Sequence, residues 1–205
     1  INAGNYPSVK EDDGYSKRVY SFYNNLKDNL KLNQQYSENH SIIAMGHFMI
    51  SGVDSASQNK LTGGLESVVS TEMSAITGID YWAMGHVHHP QNVGGNIRYS
   101  GSPFAMTFNE IYPHSVTVVE IENHNVDIKI REIEPLIPVV DFPFKPNSYD
   151  DAPSKDELFA KVVEILDNEC YVRLHVRTDM PLSDMDNARI QELFDGKKAK
   201  YCGIQ

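Results

Sequence analysis

Three histidines fall within four positions, at His86, His88 and His89, directly after the apolar run "YWAM" and Gly85. A second Gly-His pair, Gly46–His47, follows another apolar run, "SIIAM", earlier in the chain. Neutral imidazole is the commonest protein ligand for Zn, Mn and Fe. A strand ending in Gly-His suits that task. The strand fixes position, the glycine allows a tight exit and close backbone approach, and the imidazole projects from the carboxyl edge of the sheet, where ligands of α/β proteins bind. In His86-x-His88 the two rings can reach two neighbouring ions or two sides of one site. The competing reading is that a histidine after a strand is a hydrogen-bonded structural residue. Repetition of the unit, extended the second time to His-x-His, sets a metal role for His47, His86 and His88 beside that reading. His89 is read as substrate-facing or as a support for its neighbours. His40, His114, His124 and His175 read as surface or turn residues.

Other chemistries lack their motifs. The sequence has no G-x-S-x-G, no Walker loop, no G-x-G-x-x-G and no Cys-x-x-Cys. Ser100 and Ser102 in "RYSGSP" flank a glycine, a pattern that reads as a turn.

The 205 residues are 40% hydrophobic and 22% charged, with a formal net charge of −10. That length accommodates one medium domain with a smaller appendage. Split at Pro135, the chain has 9 basic and 15 acidic residues before the division and 9 and 13 from there on. Neither part is a basic platform for nucleic acid, so a polyanionic substrate would need its positive field from metal or from a partner. No apolar run approaches the roughly 18 residues of a membrane span. The start, "INAGNYPSVKEDDGY", has no signal-peptide pattern and no initiator Met, and reads as the cut end of something longer. Cys170 and Cys202 do not make a disulfide framework; free thiols in a reducing cytoplasm are the simplest expectation, one buried disulfide the alternative.

The elements that must position these residues are legible in part. Residues 15–38 carry Val19, Phe22, Tyr23, Leu26 and Leu30 at helical spacing. Buried strands are expected over 41–45 and 81–84, a surface loop over 51–64, and a single helical turn at "STEMSAI". "NVGGNIRYSGSP" reads as a turn and a third strand. "SVTVVEI" and "VDIKIREI" alternate on either side of "ENHN" and read as a hairpin. Five prolines between Pro135 and Pro153 mark a connection into a second unit. That unit reads strand, helix (154–167), strand (170–176), helix (183–194), strand, with Ser154 and Glu157 forming a capping box. Its expected core is Leu158, Val162, Leu166, Val172, Leu174, Ile190 and Leu193.

"GHF" followed by a Gly/Ser loop and then "DYWAMGHVHHPQNVGGNIRYSGSPFAMTFNE" resembles the SbcD nuclease family, the metallophosphoesterase subunits of bacterial SbcC–SbcD DNA-repair complexes. The resemblance implies an α/β fold: the C-terminal half of a calcineurin-like phosphoesterase β-sandwich with flanking helices (1–137), followed by a small α/β cap (138–205). It implies two Mn ions, with Mg or another divalent ion as alternatives, that promote attack of water on a DNA phosphodiester. It assigns His47 and His86 to one ion and His88 to the other. Substrate contacts fall to His89, Arg98 and Ser100. It implies a cytoplasmic protein acting on DNA with an SbcC-type ATPase partner, and no membrane association. The family's early motifs, Asp-x-His, Gly-Asp-x-x-Asp and Gly-Asn-His-Asp, are absent from the 205 residues. The expectation is therefore a C-terminal part of such a subunit, inactive alone, holding metal weakly or not at all, and prone to self-association. Two other readings stay open: a metallophosphoesterase acting on small phosphate esters or nucleotides, and a non-catalytic fragment that docks on a partner.

Overall fold

A computed structural model describes residues 14–54, 68–69 and 78–205. The chain divides into two compact units, the first running to Glu134 and the second from Pro135. Each has its own core. The helical turn expected at "STEMSAI" and most of the loop expected over 51–64 lie outside the described residues.

In the first unit, helix α1 covers Tyr15–Lys31. It stops well short of residue 38 because the sequence there becomes polar and rich in Asn and Ser. Asn33 accepts from the Gln35 amide at 2.9 Å, a local side-chain bond that competes with helix continuation. The strands are β1 (Ile43–His47), β2 (Met49–Ile50), β3 (Val68–Val69), β4 (Tyr81–Gly85), β5 (Gln91–Gly94), β6 (Ile97–Tyr99), β7 (Ser115–Glu122) and β8 (Asn125–Glu132). The main sheet has the order β1-β4-β6-β5. Its first three strands are parallel. β5, where the sequence pattern reads as a turn, returns antiparallel beside β6. β2 and β3 form a separate parallel pair. β7 and β8 make the hairpin expected around "ENHN", with all eight residues of each strand in register.

Val19 and Tyr23 of α1 pack against Ala44, Trp82, Met84, Ile97 and Tyr99 of the sheet and against Phe48–Ile50. Two tyrosines join this core to the backbone. The Tyr23 hydroxyl donates to the Met45 carbonyl at 2.6 Å, tying the helix to β1. Tyr99, fully buried, donates to the Phe48 carbonyl at 2.8 Å and accepts from the Ile50 amide at 3.0 Å. Burial pushes its phenol well above the usual range, so the ring stays neutral and keeps both bonds. β4 is buried along most of its length, as its continuous apolar sequence requires. β1, at the sheet edge, is not: Ile43 and Met45 are 56% and 76% exposed.

In the second unit, β9 (Val139–Phe142), β10 (Tyr171–Leu174) and β11 (Lys200–Ile204) form a parallel sheet of order β11-β10-β9. Helices α2 (Lys155–Lys161) and α3 (Asp184–Phe194) connect them. α2 begins at the expected capping box of Ser154 and Glu157, and α3 at a second one, Ser183 with Asp186. After α2 the chain tightens into a 3₁₀ turn at Val162–Glu164, where β-branched Val162 and Val163 succeed one another. Leu158, Val162, Leu166, Val172, Leu174 and Ile190 are buried together; Leu193 packs at the margin of the same cluster. Cys170 is buried and Cys202 exposed, and both are free thiols.

Candidate functional site

The repeated Gly-His grammar has a structural cause. β1 and β4 run parallel in a register that sets Gly46 opposite Met84 and His47 opposite Gly85. Both Gly-His pairs therefore end at the same carboxyl edge of one sheet. Each glycine makes room for an aromatic ring. A Cβ on Gly85 would lie 2.7 Å from His47 Nδ1, and one on Gly46 would lie 2.6 Å from the Phe48 ring. His86 then leaves β4 with φ 92°, a conformation rarely adopted by any residue but glycine. Such backbone is held at a cost of about 1–3 kcal/mol and clusters at functional sites. The result is that the His47 and His86 rings meet edge to face with centroids 5.4 Å apart. Partial desolvation, and after it the neighbouring His86, hold the largely exposed His47 imidazole below its ordinary pKa, which favours the neutral form.

His88 is positioned by Glu110, the last residue of the family-like stretch, to which the sequence reading gives no role of its own. Its Nδ1 lies 2.8 Å from Oε1 of Glu110, whose side chain is wholly buried. The other Glu110 oxygen accepts from the Ser102 hydroxyl at 3.3 Å and from the Met106 amide at 3.1 Å. Ser102 in turn faces Nδ1 of His114 through both Oγ (3.2 Å) and its carbonyl (3.0 Å). The turn that brings Ser102 here depends on Gly101. Its φ is +81°, and a Cβ there would meet the His88 carbonyl and the Pro90 ring, each at 2.6 Å. Ser100, half-buried at the exit of β6, stands at the same sheet edge as His47 and His86. The glycine between the serines is thus a turn, in keeping with the sequence pattern.

His89 stacks on Tyr112 (centroids 4.3 Å, planes 17° apart) with its Nδ1 3.0 Å from Asp54 Oδ2. Gln91 fixes Asp54, accepting from its amide and donating to its carbonyl, both at 2.8 Å. Arg98, expected as a substrate contact, is engaged by its own neighbours. It is 4% exposed, with Nε donating to Thr117 Oγ1 at 3.1 Å and Nη1 to Asn92 Oδ1 at 2.8 Å. It fastens edge strand β5 and hairpin strand β7 to the sheet, because a buried guanidinium must find acceptors.

The donor chemistry at this edge fits a transition-metal or Mn site in kind, with imidazoles and a carboxylate behind one of them. It does not complete one: among the described residues no group of three or more His, Cys, Asp or Glu side chains is placed to hold a metal ion. His47 and His86 are two imidazoles of the donor type such a site uses, brought within ring contact of each other.

A parallel sheet with imidazoles at its carboxyl edge defines a class of site; the comparisons with known proteins narrow it. No family model matches the chain. It is 32% identical over 108 residues to the SbcD subunit of the SbcCD nuclease from Staphylococcus saprophyticus, covering 51% of this chain and 28% of that protein. The SbcD subunit from Rhodobacter capsulatus is 36% identical over 85 residues, 39% of this chain and 20% of the relative. The corresponding protein of Escherichia coli K12 is 33% identical over 100 residues, 42% and 24% of the respective chains. The resemblance is therefore present across several bacteria as partial similarity to SbcD nuclease subunits. The matched region spans between 20% and 33% of these relatives. Among the described residues no helix is long and apolar enough to cross a membrane.

Proposed function

We propose that this chain is part of a metal-dependent nuclease subunit of the SbcD kind, acting on DNA phosphodiesters together with an SbcC-type ATPase. The observation that carries the reading is the convergence of His47 and His86 on one sheet edge, in a chain similar to nuclease subunits. In this proposal the first unit is part of a phosphoesterase β-sandwich and the second is a cap. His47 and His86 serve one Mn ion and His88 the other, and the remaining donors, carboxylates among them, come from beyond the described residues. When bound, the ions would polarise the phosphodiester and lower the pKa of the attacking water. The chain's own residues prepare for this. Partial desolvation and the neighbouring His86 favour the neutral form of His47, and the φ of His86 turns its ring toward His47. The His89–Tyr112 stack offers a flat ring beside His88, and Ser100 a hydroxyl at the exit of β6. The net charge of −10 leaves capture of DNA to the metal and the partner.

The test is an assay of the whole subunit with its ATPase partner, with Mn or with EDTA, on linear DNA and on a small chromogenic phosphodiester. The proposal expects Mn-dependent DNA cleavage stimulated by the partner. Turnover of the small ester alone, with DNA untouched, would assign the chain to a phosphoesterase of small substrates instead.

A further inference from the structure

We infer that Glu110 is the positioning residue that selects the ligating nitrogen of His88, by holding the proton of that imidazole on Nδ1 and the lone pair on Nε2. The inference rests on the reading of His88 as a metal ligand, but its geometry stands by itself. Three donors converge on the two oxygens of one buried side chain: His88 Nδ1 at 2.8 Å on Oε1, and Ser102 Oγ at 3.3 Å and the Met106 amide at 3.1 Å on Oε2. A carboxylate accepts at both oxygens and donates at neither, so Nδ1 of His88 is the donor. The Met106 amide is backbone and cannot reverse its role. The Ser102 hydroxyl donates to Glu110 Oε2 as well. With Nδ1 donating to the carboxylate, a neutral His88 carries its lone pair on Nε2. An imidazole whose second nitrogen is held by a carboxylate is a fixed and more basic ligand.

The same wiring makes the isosteric Glu110→Gln variant informative. The carbonyl of the introduced amide must face the Met106 N–H, since the alternative sets an NH₂ group against a backbone N–H in a buried place. That turns the new NH₂ toward His88 Nδ1, which must then accept. The proton moves to Nε2, and the ring presents an N–H where a ligand needs a lone pair. Loss of the correct tautomer without loss of geometry is a known route to inactivation of histidine-dependent sites.

The experiment is ¹⁵N–¹H correlation NMR of the histidine side chains in the metal-free 205-residue chain, at about pH 8.5, roughly two units above the ordinary histidine value. His88 is expected as the Nδ1–H tautomer by at least about tenfold, the preference one charge-assisted hydrogen bond supplies. Ser102→Ala, which disturbs the same buried cluster but keeps Glu110, should leave that tautomer in the majority. Glu110→Gln should invert it. Finding His88 as Nε2–H in the unsubstituted chain, or as Nδ1–H in Glu110→Gln, overturns the inference, and the first of these needs no variant to fold. A separate measurement is Mn affinity of the whole nuclease subunit, expected to fall by about 10–100-fold in Glu110→Gln. An inverted tautomer with unchanged Mn affinity would leave the role of Glu110 standing and overturn the assignment of His88 as a ligand.

Discussion

At the scale of single residues, the glycines of the two Gly-His pairs matter as much as the histidines. Gly85 is opposite His47 in the parallel register, and its missing Cβ is what leaves space for His47 Nδ1. Gly85→Ala is therefore expected to displace the His47 ring and separate it from His86 while the strand itself persists. The check is the ring-to-ring nuclear Overhauser contact between His47 and His86, strong in the parent and lost in the variant; an unchanged contact would show that the glycine is dispensable. The cysteines give a second residue-scale expectation. Cys170 is buried and Cys202 exposed, while desolvation raises the pKa of both thiols, so access is what separates them. Alkylation under native conditions should label Cys202 and spare Cys170, with equal labelling only after unfolding.

At the scale of elements, the hairpin is anchored at its turn. His124, at φ 64°, directs Nδ1 to Asp80 Oδ1 at 2.8 Å and Nε2 to the Glu38 carbonyl at 2.7 Å. Both partners are acceptors, so both nitrogens carry protons and the ring is a cation. The backbone bond to Glu38 and then the bond to Asp80 raise its pKa. The sign follows: this contribution to stability is fully present below the ordinary histidine pKa of about 6.5 and is lost as pH rises through the higher folded value. The thermal midpoint should fall over that interval, and His124→Ala should remove the fall; a variant with the same pH dependence would refute the anchor. The sheet edge makes a different prediction. Ile43 and Met45 of β1 and Leu26 and Leu30 of α1 are exposed side by side with the strand edge, and no described strand pairs there. Open edges with apolar neighbours invite pairing. The 205-residue chain should self-associate in light scattering, and Met45→Lys should shift it toward monomer.

What the sequence disclosed follows the range over which each pattern acts. The Gly-His pairs, the hairpin around "ENHN" and the Ser154–Glu157 box are local, so periodicity and spacing expose them. β5 escapes such a reading because four residues with two polar side chains carry too little alternation. Glu110 escapes it because it meets His88 from 22 positions away, and only the turn at Gly101 brings the two segments together. The partners of Arg98 escape it for a related reason: its acceptors, Asn92 and Thr117, belong to strands whose pairing is not written in its own neighbourhood.

At the scale of the whole molecule, two units with separate cores are expected to unfold as separable transitions. Leu158→Ala, at a site 1% exposed, should lower the stability of the second unit by about 2–5 kcal/mol and leave the transition of the first in place. Calorimetry distinguishes that from a single shifted transition, which would mean one cooperative body. The function assigned to the first unit depends on donors that the described residues do not complete. Its most direct test is Mn-dependent cleavage of linear DNA by the whole subunit and its ATPase partner, comparing the unsubstituted protein with His86→Asn. The account predicts that cleavage requires Mn and falls by at least about a hundredfold in the variant, since loss of a ligand should cost no less than loss of its supporting partner. Cleavage that persists in EDTA, or that His86→Asn leaves unchanged, would contradict it.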